Sequence, residues 1–157
     1  LMEQPVLRTG FVMDADPVVQ VVLSRCELPF MIHDYSGLEM EVAEERLKAL
    51  CEQRKKEGFA LSQPPLLRID LVKKEDMNWW LVIGFHHALM DGWSLPRLFG
   101  PIGEYYNRLV QGKSLSLKVN RSLRDFIEYL RKQDRSAGEQ YFRHYLEGVV
   151  LPTPLPG

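Results

Sequence analysis

The stretch GFHHALMDGWS, residues 84–94, holds the side chains best suited to chemistry in this sequence. His86 and His87 follow an apolar run, and Asp91 and Gly92 come shortly after them. An unperturbed imidazole titrates near neutral pH, so it can accept a proton and return it. The chemistry that fits such a group is removal of a proton from an attacking amine, hydroxyl or thiol.

The two rings need not have the same role, because a strand precedes them. Side chains alternate along a strand, so Phe85 and His87 share one face while His86 lies on the other. If a tight turn begins at Ala88, His87 and Asp91 lie one turn apart. Gly92 would then permit a backbone geometry or a close approach that a side chain prevents.

Other roles for these residues stay open at this point. A histidine at a strand end is often a hydrogen-bonded core residue. His87 and Asp91 could share a metal, but three protein ligands are usual and the sequence offers no third candidate at a fixed spacing. No G-x-S-x-G pattern surrounds Ser94, and no phosphate-binding or dinucleotide glycine pattern occurs.

The elements that must position this stretch are alternating strands and helices. Residues 7–13 and 17–23 predict a hairpin, and residues 29–33 a third strand. Residues 65–72 and 78–87 predict two more strands, joined by the polar KKED and therefore antiparallel. The last strand is apolar on both faces, which favours a central place in its sheet.

Helices are predicted between and after these strands. Three pairs with capping-box spacing predict helix starts: Ser36 with Glu39, Ser122 with Asp125, and Ser136 with Glu139. Gly58 and Gly148 are natural helix ends. Apolar residues at helical spacing also predict a helix over residues 95–109. Residues 149–157 are proline-rich and are typical of a linker.

Composition narrows the function classes. The chain has 157 residues, of which 45% are hydrophobic and 26% charged, and a net charge of −1. This charge argues against a nucleic-acid partner or an anionic membrane surface. Cys26 and Cys51 form no CxxC pair, which favours a reduced cytoplasmic protein. No apolar run reaches the length of a membrane span.

Several segments resemble one family. HHALMDG matches the HHxxxDG signature of condensation domains from nonribosomal peptide synthetases, and Trp93 and Ser94 fit its usual continuation. VLRTGF at 6–11 resembles the upstream LRTxF element of that family, and PPLLR at 64–68 its strand before the site. LRDFIEYL, EQYFRHYLEG and PTPLP resemble the segment that follows, so the likeness covers nearly the whole chain.

The resemblance implies a fold and a domain arrangement. Members are built from two lobes similar to chloramphenicol acetyltransferase, with the site between them. The implied fold is α/β: a two-layer αβ sandwich, a half-domain with a largely antiparallel or mixed sheet and flanking helices. Residues 1–157 would be an incomplete N-terminal lobe, with residues 149–157 leading towards a missing second lobe. We expect such a lobe alone to form no amide.

The resemblance also implies an activity and partners. A donor thioester and an acceptor amine, each on the phosphopantetheine arm of a carrier protein, would be joined as an amide beside neighbouring synthetase domains. No cofactor or metal would be bound directly. His87 would deprotonate or hold the amine, and Gly92 would leave room for a backbone donor to the oxyanion. Asp91 would be structural, in an internal ion pair for which Arg8 and Arg68 are the candidates unless the partner lies in the missing lobe.

Departures from the family pattern concern details of substrate contact. Glu3 and Gln4 replace the usual Arg-His, and Tyr129 and Phe142 stand where tryptophan is frequent. The intact HHxxxDG residues favour condensation over epimerisation or cyclisation. Two alternatives remain: an acyltransferase of the same superfamily that uses coenzyme A thioesters, and a non-catalytic module that binds carrier proteins.

Overall fold

The computed structural model describes residues 1–115 and 123–151, and these divide into two units. The first unit contains the described residues up to 115, and the second contains residues 123–151. The sequence does not predict this division, because residues 111–122 carry no long proline- or glycine-rich run.

The first unit holds all of the described strands. Two 3₁₀ helices, five strands and two α-helices occur in its described part, in the following order. They are a 3₁₀ helix at Pro5–Arg8, β1 at Thr9–Val12, β2 at Val19–Val22, β3 at Phe30–Asp34, α1 at Met40–Glu57, β4 at Leu67–Glu75, β5 at Asn78–Phe85, a second 3₁₀ helix at Gly92–Ser94, and α2 at Leu95–Val110.

The strands form two sheets. β1 and β2 make the antiparallel hairpin that the sequence predicts. The second sheet has the order β3-β4-β5, with β3 parallel and β5 antiparallel to β4. The predicted α/β class, with a mixed sheet and flanking helices, is confirmed.

The position of β5 differs from the prediction. β4, and not β5, is the middle of the three strands, and β5 lies at an edge within the described part of the chain. Apolar side chains on both faces report what packs above and below a strand, whereas its place in the sheet depends on hydrogen-bonding partners at its sides. The side chains of Trp79 and Leu81 on β5 remain 42% and 49% exposed.

The core lies where the chain enters and leaves the site. Five buried apolar residues form it: Leu7, Leu66, Leu67, Leu89 and Met90. Leu95 and Leu98 at the start of α2 pack against this cluster. Leu89 and Met90, shortly after the two histidines, are therefore part of the core, and Phe85, directly before them, packs against it.

The predicted start of the first helix is wrong in detail. α1 begins at Met40, after Glu39, because the amide and hydroxyl of Ser36 bind the Asp34 carboxylate at 2.9 and 2.6 Å instead of capping a helix. Ser and Asp side chains commonly compete in this way with helix caps. Gly58 does end α1, with φ of +57°.

The second unit contains α3 at Leu123–Arg131 and α4 at Ser136–Tyr145 among its described residues. Ser136 begins α4 but does not cap it, since its amide binds the Asp134 carboxylate at 2.8 Å. Gly148, with φ of +86°, lies three residues beyond the end of α4. Ser122 and most of the predicted linker at 149–157 lie outside the described residues.

Candidate active site

The start of the site loop is fixed to the core by backbone pairing. β5 ends at Phe85, opposite Leu67 of β4. The His86 amide donates to the Leu66 carbonyl at 3.0 Å, so the pairing continues one residue past the strand. Leu66 and Leu67 are 0% and 3% exposed. Hydrogen bonding to a buried residue therefore fixes the backbone position of His86.

A tight turn follows and is closed by His86. The Leu89 amide donates to the His86 carbonyl at 2.9 Å, and the Ala88 amide donates to His86 Nδ1 at 3.0 Å. An accepting Nδ1 places the proton of a neutral imidazole on Nε2. Leu89 and Met90 then enter the core, at 6% and 8% exposure. The turn is thus anchored at both ends.

His87 occupies the outer side of this turn and is exposed. Its imidazole makes no hydrogen bond to any residue in 1–115 or 123–151, whereas the half-buried His86 is hydrogen-bonded. The centroids of the Phe85 and His87 rings are 5.8 Å apart, with an angle of 65° between the planes. The structure therefore gives the two histidines different surroundings, and their chemical roles remain predictions.

Asp91 and Ser94 frame the second 3₁₀ helix by capping each other. The Asp91 carboxylate accepts from the Ser94 amide at 3.0 Å and from its hydroxyl at 2.7 Å, and the Asp91 amide donates to the Ser94 hydroxyl at 3.4 Å. The pKa of Asp91 is lowered, mainly by the hydrogen bond from the Ser94 hydroxyl. Desolvation acts in the opposite direction, and hydrogen bonds from backbone amides lower the pKa further. Trp93, between them, is 89% exposed.

The predicted ion pair of Asp91 is not present in the described residues. Arg8 donates to the backbone carbonyls of Leu1, Leu23 and Ser24. Arg68 binds the Glu57 carboxylate at 2.6 Å and the Gly58 carbonyl, with its guanidinium carbon 4.2 Å from the centre of the Phe59 ring. Asp91 is exposed and hydrogen-bonded, so it needs no buried cation.

Gly92 is surrounded by open space. A Cβ on this residue would meet no atom within 4 Å, and its φ is not in the left-handed region. No packing within the described chain therefore requires glycine here. The close approach predicted for Gly92 would therefore be made by a group that occupies the open space next to this residue.

A buried charge network that was not predicted from the sequence links α1, β3 and β4. The Asp70 carboxylate, 1% exposed, accepts from Arg54 Nη2 at 2.6 Å and from Arg54 Nε at 2.9 Å. His33 Nε2 lies 2.8 Å from the same carboxylate. Desolvation raises the pKa of Asp70, but the hydrogen bonds from Arg54 and His33 outweigh it, so the pKa is lowered. An aspartate inside the apolar run LRIDLV is the signal that could have indicated this network.

The described residues contain no group of three or more His, Cys, Asp or Glu side chains arranged to hold a metal ion. Among those same residues, no helix combines the length and the apolar character needed to cross a bilayer.

Substitution of Asp91 tests its capping role. We expect Asp91→Ala to lower the melting temperature slightly, because the Ser94 amide loses its acceptor, and Asp91→Asn to lower it less, because an amide oxygen can replace the carboxylate. Thermal denaturation of both variants checks this order. A large loss with both substitutions would instead indicate a buried charge partner for Asp91.

Comparison with known families gives a consistent result. Residues 1–157 match the family described as Condensation domain. A linear gramicidin synthase polypeptide of Brevibacillus parabrevis is 35% identical over 159 residues, which cover 99% of this chain and 2% of that protein. Bacitracin synthase 1 of Bacillus licheniformis is 29% identical over 137 residues, covering 87% of this chain and 3% of that protein. The chain thus spans a very small part of these relatives.

Solved structures support the fold. The epimerization domain from the third module of tyrocidine synthetase B aligns with a TM-score of 0.80 and 22% identity, over 98% of this chain and 35% of that one. The EpoB cyclization-docking bidomain from Sorangium cellulosum aligns with a TM-score of 0.74 and 24% identity, over 99% of this chain and 31% of that one. The chain spans about a third of each structure.

Proposed function

This chain belongs to the condensation domain family, and from that premise we propose that it contributes to a domain that joins a donor thioester and an acceptor amine as an amide. Both substrates would be carried on the phosphopantetheine arms of carrier proteins. The observation that supports this most directly is the exposed imidazole of His87, held at the end of β5 by a turn anchored in the core at both ends.

The reaction forms a carbon–nitrogen bond and breaks a carbon–sulfur bond, and it moves one proton from nitrogen to sulfur. The amine nitrogen attacks the thioester carbonyl carbon, the carbon–nitrogen bond forms, and the carbon–sulfur bond breaks with its electron pair leaving on sulfur. One amine proton ends on that sulfur. His87 would take the proton or hold the amine so that its lone pair points at the carbonyl, and both roles require an imidazole at this place.

His86 and Asp91 would support this geometry without contacting the reacting atoms. His86 closes the turn through Ala88, and Asp91 caps the helix that follows with Ser94. Gly92 would leave room for the thioester oxygen to approach the backbone, where an amide donor stabilises the negative charge of the tetrahedral intermediate.

The proposed partners are donor and acceptor carrier proteins, a second lobe that completes the cleft, and neighbouring synthetase domains. The exposed His87 and the 89% exposed Trp93 provide a surface that such a lobe or a carrier arm would cover. The arms belong to the carriers and are substrates of this domain. A cytoplasmic location is part of the proposal, since both Cys26 and Cys51 are free thiols.

The test is amide formation by the complete domain with two loaded carriers, detected as a mass increase on the acceptor arm. Reaction with the carrier-bound donor and no reaction with the same acyl group on coenzyme A is the expected result. Turnover with the coenzyme A donor alone would instead assign an acyltransferase of the other type. Carrier binding without any transfer would assign an interaction module.

Substitution of Gly92 tests the open space in front of the turn. We expect Gly92→Ala to leave the melting temperature unchanged, because the added Cβ meets no protein atom. Amide formation should fall by about 10-fold or more, because the added Cβ would hinder the approach of the thioester oxygen to a backbone donor, and complete loss of one such donor costs about 10²- to 10³-fold. Thermal denaturation and kcat with loaded carriers are the measurements.

Gly10→Ala is the matched control for that substitution. A Cβ on Gly10 would lie 2.8 Å from Pro64 Cδ and 3.2 Å from the Leu61 carbonyl oxygen, so this variant should lose about 1–3 kcal/mol of stability. Its remaining folded protein should keep its kcat. Full activity in Gly92→Ala would remove the proposed role of close approach at this residue.

A further inference from the structure

We propose that Phe85 is a positioning residue for His87, because its ring fixes the orientation of the imidazole. This inference rests on the proposed function and adds a residue to its site. HHxxxDG does not include residue 85, and the residue carries no polar group that could take part in the chemistry.

The contact between the two rings is the basis of the proposal. Their centroids lie 5.8 Å apart and their planes meet at 65°, an edge-on arrangement that aromatic pairs favour. The His87 imidazole has no hydrogen bond to the described part of the chain, whereas His86 is held through Nδ1. The Phe85 ring is thus an aromatic contact, within the described part of the chain, that can limit rotation of His87.

Phe85 is itself held firmly. It is the last residue of β5, is paired with the buried Leu67 of β4, and packs against the core cluster. Side chains two apart in an extended chain lie on the same face, which brings His87 beside Phe85 even though the strand ends between them. A ring fixed by the core therefore transmits its position to an exposed imidazole.

This restriction matters because a freely rotating imidazole points its nitrogen at the amine for only part of the time. Small misplacements of a reacting group can cost up to about 10²-fold in rate. Leucine at residue 85 would fill part of the same space but would offer no ring to His87. Tyrosine would keep the ring.

Kinetics of the complete domain with loaded carriers form the first half of the test. Phe85→Leu should lower kcat by about 10-fold with little change in KM, and Phe85→Tyr should keep kcat close to that of the wild type. Phe59→Leu is the matched control, since Phe59 packs against the same core but contacts Arg68. An equal fall in kcat per folded molecule for Phe59→Leu and Phe85→Leu would overturn the inference.

Nuclear magnetic resonance of the same domain, labelled at histidine, forms the second half. The ring signals of His87, assigned from the spectrum of His87→Ala, should report one side-chain rotamer in the wild type and averaging in Phe85→Leu. A single rotamer in Phe85→Leu would overturn the inference, as would an unchanged kcat. If the wild-type domain forms no amide, the proposed function is wrong, whereas full activity in His87→Ala would contradict only the role given to His87. In either case the rotamer measurement alone then decides whether Phe85 holds His87.

Discussion

Replacing His87 by alanine in the complete domain is expected to lower amide formation by about 10²- to 10⁴-fold while leaving the melting temperature nearly unchanged. The reason is its position: His87 is exposed and makes no hydrogen bond within residues 1–115 and 123–151, so its removal leaves no buried group unsatisfied. Steady-state kinetics with two loaded carriers and thermal denaturation of the same preparations measure both effects.

His86 supplies the matched control. His86→Ala removes the acceptor of the Ala88 amide and should cost about 0.5–1.5 kcal/mol of stability, with a smaller loss of kcat than His87→Ala. His86→Asn places an amide oxygen near the former Nδ1 and should recover part of that stability. Equal losses of kcat in His86→Ala and His87→Ala at unchanged melting temperature would contradict the separation of roles.

Local sequence signals predicted the parts of the fold that depend on nearest neighbours. Alternating apolar residues and polar turns indicated the hairpin and the antiparallel pair β4 and β5, because the connection length and the face pattern are both present in the sequence. The location of the site at the end of β5 follows from the same pattern. Strand alternation also predicted that Phe85 and His87 lie side by side, as their ring contact shows.

Predictions from the sequence were less successful where several polar groups compete for one hydrogen-bonding or ion-pair partner. Ser36 and Ser136 each had an acceptable capping role, but an aspartate two residues earlier binds the amide of each serine. Arg68 was one candidate partner for Asp91, yet its guanidinium binds Glu57 at the end of α1 at 2.6 Å. Such choices depend on distances between elements, which spacing along the chain does not specify.

Asp70→Asn is expected to destabilise the protein by about 3–5 kcal/mol, the usual cost of breaking a buried ion pair. Asp70 is 1% exposed, and Arg54 holds its carboxylate with two hydrogen bonds while His33 makes a third contact. The asparagine would leave the half-buried Arg54 without its main counter-charge. Denaturation by urea at neutral pH measures the difference in the free energy of unfolding.

The stability of the wild type should also depend on pH through this carboxyl. Because the pKa of Asp70 is lower in the folded protein than its ordinary value of 3.8, the unfolded chain binds the proton more readily. The stabilisation is therefore present above about pH 4 and is lost as the pH falls through the folded-state pKa. Asp70→Asn has no carboxyl group to titrate at this position, so its free energy of unfolding should lack this pH dependence. The difference in the free energy of unfolding between the wild type and Asp70→Asn should therefore shrink at low pH.

Asp76, an exposed aspartate in the turn between β4 and β5, is the control that separates the effect of burial on stability from the effect of charge. Asp76 pairs with Lys73 at 2.9 Å but is 93% exposed, so Asp76→Asn should leave the melting temperature nearly unchanged.

Removing both Asp70 and Arg54 should destabilise the protein less than removing one of them, because the double variant Asp70→Leu, Arg54→Leu leaves neither charge buried alone. If Asp70→Asn were as mild as Asp76→Asn, or if the destabilisation of the double variant equalled the sum for the two single variants, the Asp70–Arg54 contact would not stabilise the unit that carries His87.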